Sequence, residues 1–164
     1  MRMLPLYATL ALSLCCLCQA ATTIGPASSE SMTAAGSTSQ PAVNRNGDGI
    51  AVSGYDVVAY FDQKQAMKGN PLITSSYQGA AYRFISEEHR VAFSKDPEHF
   101  IPQYGGFCAY GASQGHKAPA DPEAWTVLDD KLYLNYNRQV QKTFLKDPSE
   151  KLKDADTNWK KLKQ

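Results

Sequence analysis

The chain has 164 residues, and 17 Lys and Arg against 16 Asp and Glu leave it a formal net charge of +1. A charge so close to zero provides no field that would hold nucleic acid or an anionic lipid surface, so we expect neither as a partner. Once a short leader is set aside, the length allows one domain with its own hydrophobic core.

The first 20 residues have the pattern of a secretory signal peptide. Arg2 precedes an apolar stretch over residues 4–17, and small residues follow it. The stretch is short for a membrane span and Pro5 interrupts it, so we predict cleavage near residue 20, no membrane span, and a periplasmic or secreted mature protein. Lipidation is the alternative, but the small residue that a lipidation site needs precedes none of the cysteines here, Cys15, Cys16 and Cys18.

Residues 21–45 are rich in Ser, Thr, Ala and Gly without apolar periodicity, which predicts a disordered linker. Residues 46–164 remain as a single predicted domain. With residues 1–20 removed, Cys108 is the one thiol left. A lone thiol in an oxidising compartment cannot form an internal disulfide, so it is buried, metal-bound, bonded to another molecule or reactive.

A repeat organises the predicted domain. Residues 82–97 align without gaps with residues 133–148 at an offset of 51, and Tyr, Phe, Lys, Asp and Pro are identical. Upstream, residues 56–60 resemble residues 121–125, at an offset of 65. We therefore predict an internal duplication: a compact α+β domain built from two copies of a β-hairpin and a helix, with a C-terminal helix. Chance resemblance between two hairpin–helix units is the alternative.

In chain order, each copy is predicted to contain a hairpin, a capped helix and a second helix that begins at Asp-Pro. The two-residue turns are residues 78–79 and 129–130. The predicted helix N-caps are Ser86, Asp96, Asn137 and Asp147, and proline follows both aspartates at the first helical position. The last helix has one apolar face, formed by Leu152, Ala155, Trp159 and Leu162.

His89 is predicted to point inward. It lies four residues before Phe93, so the two side chains share one face of the helix, and its counterpart in the second copy is the apolar Val140. The imidazole is therefore either a core histidine with a hydrogen-bond partner or a ligand.

Cys108 lies in the connector between the copies, where residues 107–114 predict two helical turns that end at Gly115. In a first helical turn, free backbone N–H groups favour the thiolate, which is the better nucleophile and the better ligand for soft metals. The alternative is a small buried side chain. His116, in the polar stretch that follows, is predicted to be solvated and is kept as a candidate exposed ligand.

Several runs resemble the YHS domain family in its exported bacterial branch. In the first copy these are residues 54–61 (GYDVVAYF), 77–84 (YQGAAYRF) and 93–98 (FSKDPE). The likeness continues through residues 104–110 (YGGFCAY) and 131–136 (KLYLNY), so it covers nearly the whole predicted domain.

The resemblance implies metal binding, because YHS domains accompany copper-transporting ATPases and are similar to small modules thought to bind metals through paired cysteines. The family's cysteine positions fall here near Ala59 and on Ile85 and His89, so only His89 keeps a ligand group. A site of several thiolates is therefore excluded, and the candidate ligands of copper or zinc are Cys108, His89 and His116. The sequence indicates no nucleotide or organic cofactor and no defined enzyme.

Two alternatives remain open. Cys108 with a nearby histidine would suit a thiol-dependent enzyme in which the cysteine is the nucleophile. The other is a non-catalytic module that binds a small ligand or a partner in a groove between the copies. The aromatic residues expected to line that groove are Tyr55, Tyr60, Phe107, Tyr110 and Tyr136. The metal and enzyme hypotheses both require the Cys108 thiol to face an imidazole, and His89 is the expected one.

Overall fold

The computed structural model describes residues 42–164. The predicted signal peptide and most of the predicted linker lie outside the described residues. Packing begins inside the predicted linker, because Val43 is buried and the N–H of Asn44 donates to the carbonyl of Gly105 (2.7 Å). Within residues 42–164, no helix combines the length and the apolar character that crossing a membrane requires.

The described residues form an α+β arrangement, as predicted, in which the same order of elements occurs twice. The first half contains a helical turn (Val52–Gly54), α1 (Ala59–Asp62), β1 (Asn70–Tyr77), β2 (Ala80–Phe84), α2 (Glu87–Lys95) and α3 (Pro97–Phe100). The second half contains a helical turn (Tyr104–Gly106), α4 (Ala109–Ser113), β3 (Asp121–Leu128), β4 (Lys131–Asn135), α5 (Arg138–Phe144) and α6 (Pro148–Leu162).

Each half has one two-stranded antiparallel sheet, and both hairpin turns are the predicted ones. β1 pairs with β2 across Gln78 and Gly79, and β3 pairs with β4 across Asp129 and Asp130. These four residues have φ values of 48°, 73°, 48° and 58°. Positive φ at both turn residues gives a twist that matches the twist of the flanking strands.

The predicted helix caps are confirmed. In each, the side chain accepts a hydrogen bond from the backbone N–H three residues later, which satisfies one of the unpaired donors of the first turn. The four residues are Ser86 at α2, Asp96 at α3, Asn137 at α5 and Asp147 at α6. Because these signals are local, the sequence alone was sufficient to place the helix starts.

Strand β4 contributes side chains to the buried clusters of both halves. Leu132 and Leu134 belong to the buried cluster of the first half, while Tyr133, on the opposite face of the strand, packs against Tyr104 and Phe144 in the cluster of the second half. Successive side chains of a strand point to opposite faces, so β4 is buried on both sides. Helix α6 covers the second cluster with its predicted face, from which Leu152, Ala155 and Trp159 pack against it.

The predicted match of residues 56–60 with residues 121–125 is wrong. Asp121 begins β3, which stands in the second half where β1 stands in the first, so it is not the counterpart of Asp56. The backbone indicates another correspondence. The helical turns Val52–Gly54 and Tyr104–Gly106 have φ values of 49°, 51° and 78° against 55°, 59° and 78°. Asp56 and Cys108 each stand two residues after such a turn.

Buried tyrosines, Tyr82 and Tyr104 among them, should make the domain sensitive to alkali. Burial raises the pKa of Tyr82 to about 12, and burial together with a hydrogen bond to Asp156 raises the pKa of Tyr104. The tyrosines of the unfolded chain ionise near pH 10, so the contribution of each is complete below about pH 10. As the pH rises from about 10 to about 12, we expect each to lower the free energy of unfolding by about 1.4 kcal/mol per pH unit.

Urea unfolding followed at a series of alkaline pH values measures this slope. Tyr82→Phe removes one of the ionising groups, so the free energy of unfolding of this variant should fall less steeply with pH than that of the wild type. The difference between the two slopes should be about 1.4 kcal/mol per pH unit. Equal slopes for the two proteins would show that Tyr82 ionises alike in the folded and unfolded chains.

Candidate functional site

Asp56 is fully buried just before α1, and backbone donors surround its carboxylate. Oδ1 accepts the N–H of Val58 (2.8 Å) and of Ala59 (3.4 Å), and Oδ2 accepts the N–H of Ile85 (2.8 Å). Ile85 directly follows β2, so the carboxylate ties the start of α1 to the junction of β2 and α2. An ionised carboxylate needs such donors, because an unpaired charge in the interior is strongly destabilising.

His89 points inward, as predicted, and its two ring nitrogens face two carboxylates. Nδ1 lies 2.7 Å from Asp56 Oδ2, and Nε2 lies 3.6 Å from Asp62 Oδ2. His89 is 7% exposed, while the side chain of Asp62, at the end of α1, is 71% exposed. The imidazole therefore lies between a buried carboxylate and one at the surface.

The sequence did not predict this arrangement. Asp56 caps the turn before α1 through the N–H groups of Val58 and Ala59, but its contact with His89 joins residues 33 positions apart. Asp62 carries no local signal that distinguishes it from other surface acids.

Cys108 is the N-cap of α4, one residue before the helical turn in which it was predicted. Its Sγ accepts the N–H of Gly111 (3.3 Å) and the N–H of Tyr136 (3.2 Å), and it lies 3.9 Å from Asn135 Oδ1. The residue is 1% exposed. The thiol is thus a buried acceptor of backbone hydrogen bonds, and by accepting the N–H of Gly111 it caps helix α4.

Cys108 and Asp56 accept equivalent backbone hydrogen bonds in the two halves. Each accepts the N–H of the residue three positions later, Ala59 for Asp56 and Gly111 for Cys108. Each also accepts the N–H of the residue that directly follows a hairpin. The acceptor differs: it is a carboxylate in the first half and a sulfur in the second.

The residues bonded to the Cys108 thiol and those bonded to the His89 imidazole have no member in common. Cys108 is held by Gly111 and Tyr136, whereas His89 is held by Asp56 with Asp62 nearby. Among residues 42–164, no group of three or more His, Cys, Asp or Glu side chains is arranged to hold a metal ion. We find no contact that would support the expected pairing of the thiol with the imidazole.

His116 is exposed, as predicted, and borders α4. Its backbone N–H donates to the carbonyl of Gly111 (3.1 Å). A Cβ built at Gly111 would lie 3.5 Å from the His116 Nε2, so the ring is close to the helix that Cys108 caps.

The aromatic residues of the expected groove differ in burial. The ring of Tyr60 is fully buried against Trp125 and its hydroxyl donates to the carbonyl of Pro122 (3.0 Å). Phe107 is 6% exposed and contacts Trp159. Tyr55 and Tyr110 are partly exposed and Tyr136 is 54% exposed. Tyr60 and Phe107 are therefore core side chains, which leaves Tyr55, Tyr110 and Tyr136 accessible to a ligand.

Asn135 is a buried polar residue that the sequence did not single out. Its Oδ1 accepts the N–H of Tyr110 (3.3 Å), while its Nδ2 has no hydrogen-bond partner among the described residues. An offset of 51 puts Phe84 at this position in the first half. The second half thus has two polar side chains, Cys108 and Asn135, in contact at the end of β4.

Comparisons of the chain with protein-family models, with curated proteins and with solved structures found no match.

Replacing Asp56 should destabilise the domain strongly. In Asp56→Asn an NH₂ group takes the place of one carboxylate oxygen. In one orientation of the amide, Ile85 N–H and His89 Nδ1 lose their acceptor; in the other, the N–H groups of Val58 and Ala59 lose theirs. We expect the free energy of unfolding to fall by about 2–4 kcal/mol. Urea unfolding monitored by circular dichroism measures this loss.

The matched control is Asp121→Asn. Asp121 Oδ1 accepts a single N–H, that of Glu123 (2.9 Å), and the side chain is partly exposed. Its loss should be about 1 kcal/mol or less. Similar losses for the two variants would contradict the central role given to Asp56.

The burial of Cys108 should protect its thiol. In the folded protein, a thiol reagent reaches this sulfur only when the surrounding structure opens, so we expect labelling at least about 100-fold slower than in urea. Mass spectrometry of the peptide that contains Cys108 measures the rate without interference from the other cysteines. Labelling at the rate of an unfolded thiol would show an accessible cysteine and would favour the enzyme hypothesis.

Proposed function

We propose that the protein is a non-catalytic binding module and that His89 is the central ligand of a divalent metal ion, Zn(II) or Cu(II). The observation that carries this proposal is the 2.7 Å contact between His89 Nδ1 and the buried Asp56, with Nε2 turned toward Asp62. Burial of the Cys108 thiol favours a binding module over a thiol-dependent enzyme.

The contact with Asp56 determines which nitrogen is available as a ligand. A carboxylate beside Nδ1 keeps a proton on that atom, which leaves the lone pair on Nε2 and fixes the orientation of the ring. Histidines that bind metals generally have such a partner on their other nitrogen. Three backbone donors in turn hold Asp56, so the imidazole has a rigid support.

The available donors suit borderline metals. Nε2 of His89 supplies an imidazole nitrogen and Asp62 a carboxylate oxygen, a combination that Zn(II) and Cu(II) accept, whereas Cu(I) prefers soft sulfur. Cys108 is not a ligand in this proposal. Two protein ligands make a weak site, so the metal would exchange readily and would not be needed for folding.

We also propose that the chain is an exported member of the YHS domain family. The support is the resemblance of residues 54–61, 77–84 and 93–98, together with the signal-like pattern of residues 1–20. In that resemblance His89 falls at a family cysteine position. An imidazole with a supporting carboxylate at that point is consistent with a retained ligand.

We propose in addition that the two halves are copies of one ancestral unit. An offset of 51 relates the hairpin turns and the helix caps, and an offset of 52 relates the turns Val52–Gly54 and Tyr104–Gly106. The five identities between residues 82–97 and 133–148 support the same proposal.

Equilibrium dialysis of the untagged protein against Zn(II), and separately against Cu(II), tests the metal site. We expect up to one bound ion per chain, and Asp62→Asn should weaken uptake about tenfold or more, because it removes a ligand. Since Asp62 is at the surface, this variant should fold as the wild type does.

The chain supplies a matched control in a second pair of histidine and carboxylate. His99 Nδ1 lies 3.4 Å from Asp130 Oδ2, at the surface. Because Asp130→Asn alters a pair that lies outside the proposed site, its uptake should equal that of the wild type. No uptake, or equal uptake by the wild type and Asp62→Asn, would refute the proposal.

A further inference from the structure

A cavity of about 340 Å³ lies between residues 101–105 and the C-terminal end of α6, with Gln78 of the first hairpin turn at its edge. The residues that line it include neither His89 nor the two carboxylates around it, Asp56 and Asp62. Its size is at the lower end of the range of small-molecule binding sites, which admits one ring with a short substituent.

Apolar groups form the walls of the cavity. Ile101, Pro102 and the indole of Trp159 line it. The Trp159 ring is held by Tyr104, at 5.8 Å between ring centroids, and by Phe107, at 6.1 Å. Lys117 Nζ also lies over the Trp159 ring, 5.8 Å from its centroid. The part of the indole that lines the cavity provides an aromatic surface for a second ring, for which offset or tilted contacts are favourable.

The wall formed by residues 101–105 is firmly anchored. The N–H of Gln103 donates to the carbonyl of Leu132 in the doubly buried strand β4 (2.8 Å). Gly105 has a φ of 59°, and a Cβ there would clash with the carbonyl oxygen of Ala42, so only glycine allows the turn to approach so closely. A wall that is already fixed loses little entropy when a ligand binds.

The polar groups of the cavity favour an anion. Lys163, Gln78 and Gln103 are among the nine residues that line it, and none of the nine is acidic. The nearby carboxylate of Asp156 accepts the hydroxyl of Tyr104 (2.9 Å). A cation and amide donors beside an apolar wall suit a carboxylate attached to a flat apolar group.

We propose that this cavity binds a small aromatic carboxylate, with the ring against Trp159 and the carboxylate toward Lys163. This site is independent of the metal site proposed above, so either can fail without the other.

Titration of ¹⁵N-labelled protein with 3-phenylpropionate tests the proposal. A ligand of this size should bind with a dissociation constant on the order of 1 mM. We expect shifts at the indole N–H of Trp159 and the amides of Gln103 and Gly105. The neutral 3-phenylpropanamide should bind at least about threefold more weakly, because it lacks the charge.

Charge reversal at the edge of the cavity provides the matched variants. Lys163→Glu should weaken 3-phenylpropionate about fivefold and leave the amide unaffected, whereas Lys161→Glu, on the same exposed turn but outside the cavity, should change neither much. Shifts that map elsewhere, equal binding of acid and amide, or equal effects of the two variants would overturn the proposal.

Discussion

The carboxylate of Asp56 is the constraint on which the first half of the domain depends. It is fully buried, and the start of α1, the end of β2 and the imidazole on α2 all supply hydrogen-bond partners to it. Because a buried charge is tolerated only when its donors stay in place, these three segments cannot separate without a large loss of stability. The orientation of His89, and with it the direction of its second nitrogen, follows from this structural requirement.

The second half meets the same backbone requirement with a sulfur atom. Cys108 accepts the corresponding N–H groups of Gly111 and Tyr136. At an offset of 51, Val140 stands at the position of His89 and Asn135 at that of Phe84. The Cys108 thiol thus serves the second half as a compact buried acceptor, whereas in the first half Nε2 of His89 lies toward the exposed carboxylate of Asp62.

The local features of this fold were predictable, whereas the site was not. Hairpin turns and helix caps are specified by residues within three positions of one another, and the turn at Asp129 and the caps at Ser86 and Asn137 were all placed correctly. The match of Asp56 with Asp121 failed because it rested on residue identity alone. The structural similarity lies instead in positive φ values at Val52 and Ser53, residue types that rarely adopt them. The contact of Asp56 with His89 depends on how the segment before α1 lies against α2, 33 residues away, which no local pattern encodes. The same limitation affected the expected pairing of Cys108 with His89, since a position in the segment between the two halves does not fix which side chains a residue meets.

Strand β4 determines how the two proposed sites relate to the rest of the domain. Leu132 and Leu134 pack into the first cluster and Tyr133 into the second, and the carbonyl of Leu132 holds Gln103 at the wall of the cavity. The cavity wall is therefore attached to the most buried strand, whereas the carboxylate of Asp62 stands at the end of the short helix α1, open to solvent. A ligand in the cavity would contact a wall that is hydrogen-bonded to buried strand β4, so its binding should stabilise the folded state of the whole domain. A metal ion at His89 would instead bridge a fixed imidazole and an exposed carboxylate, so its affinity would depend mainly on how readily Asp62 is held in place.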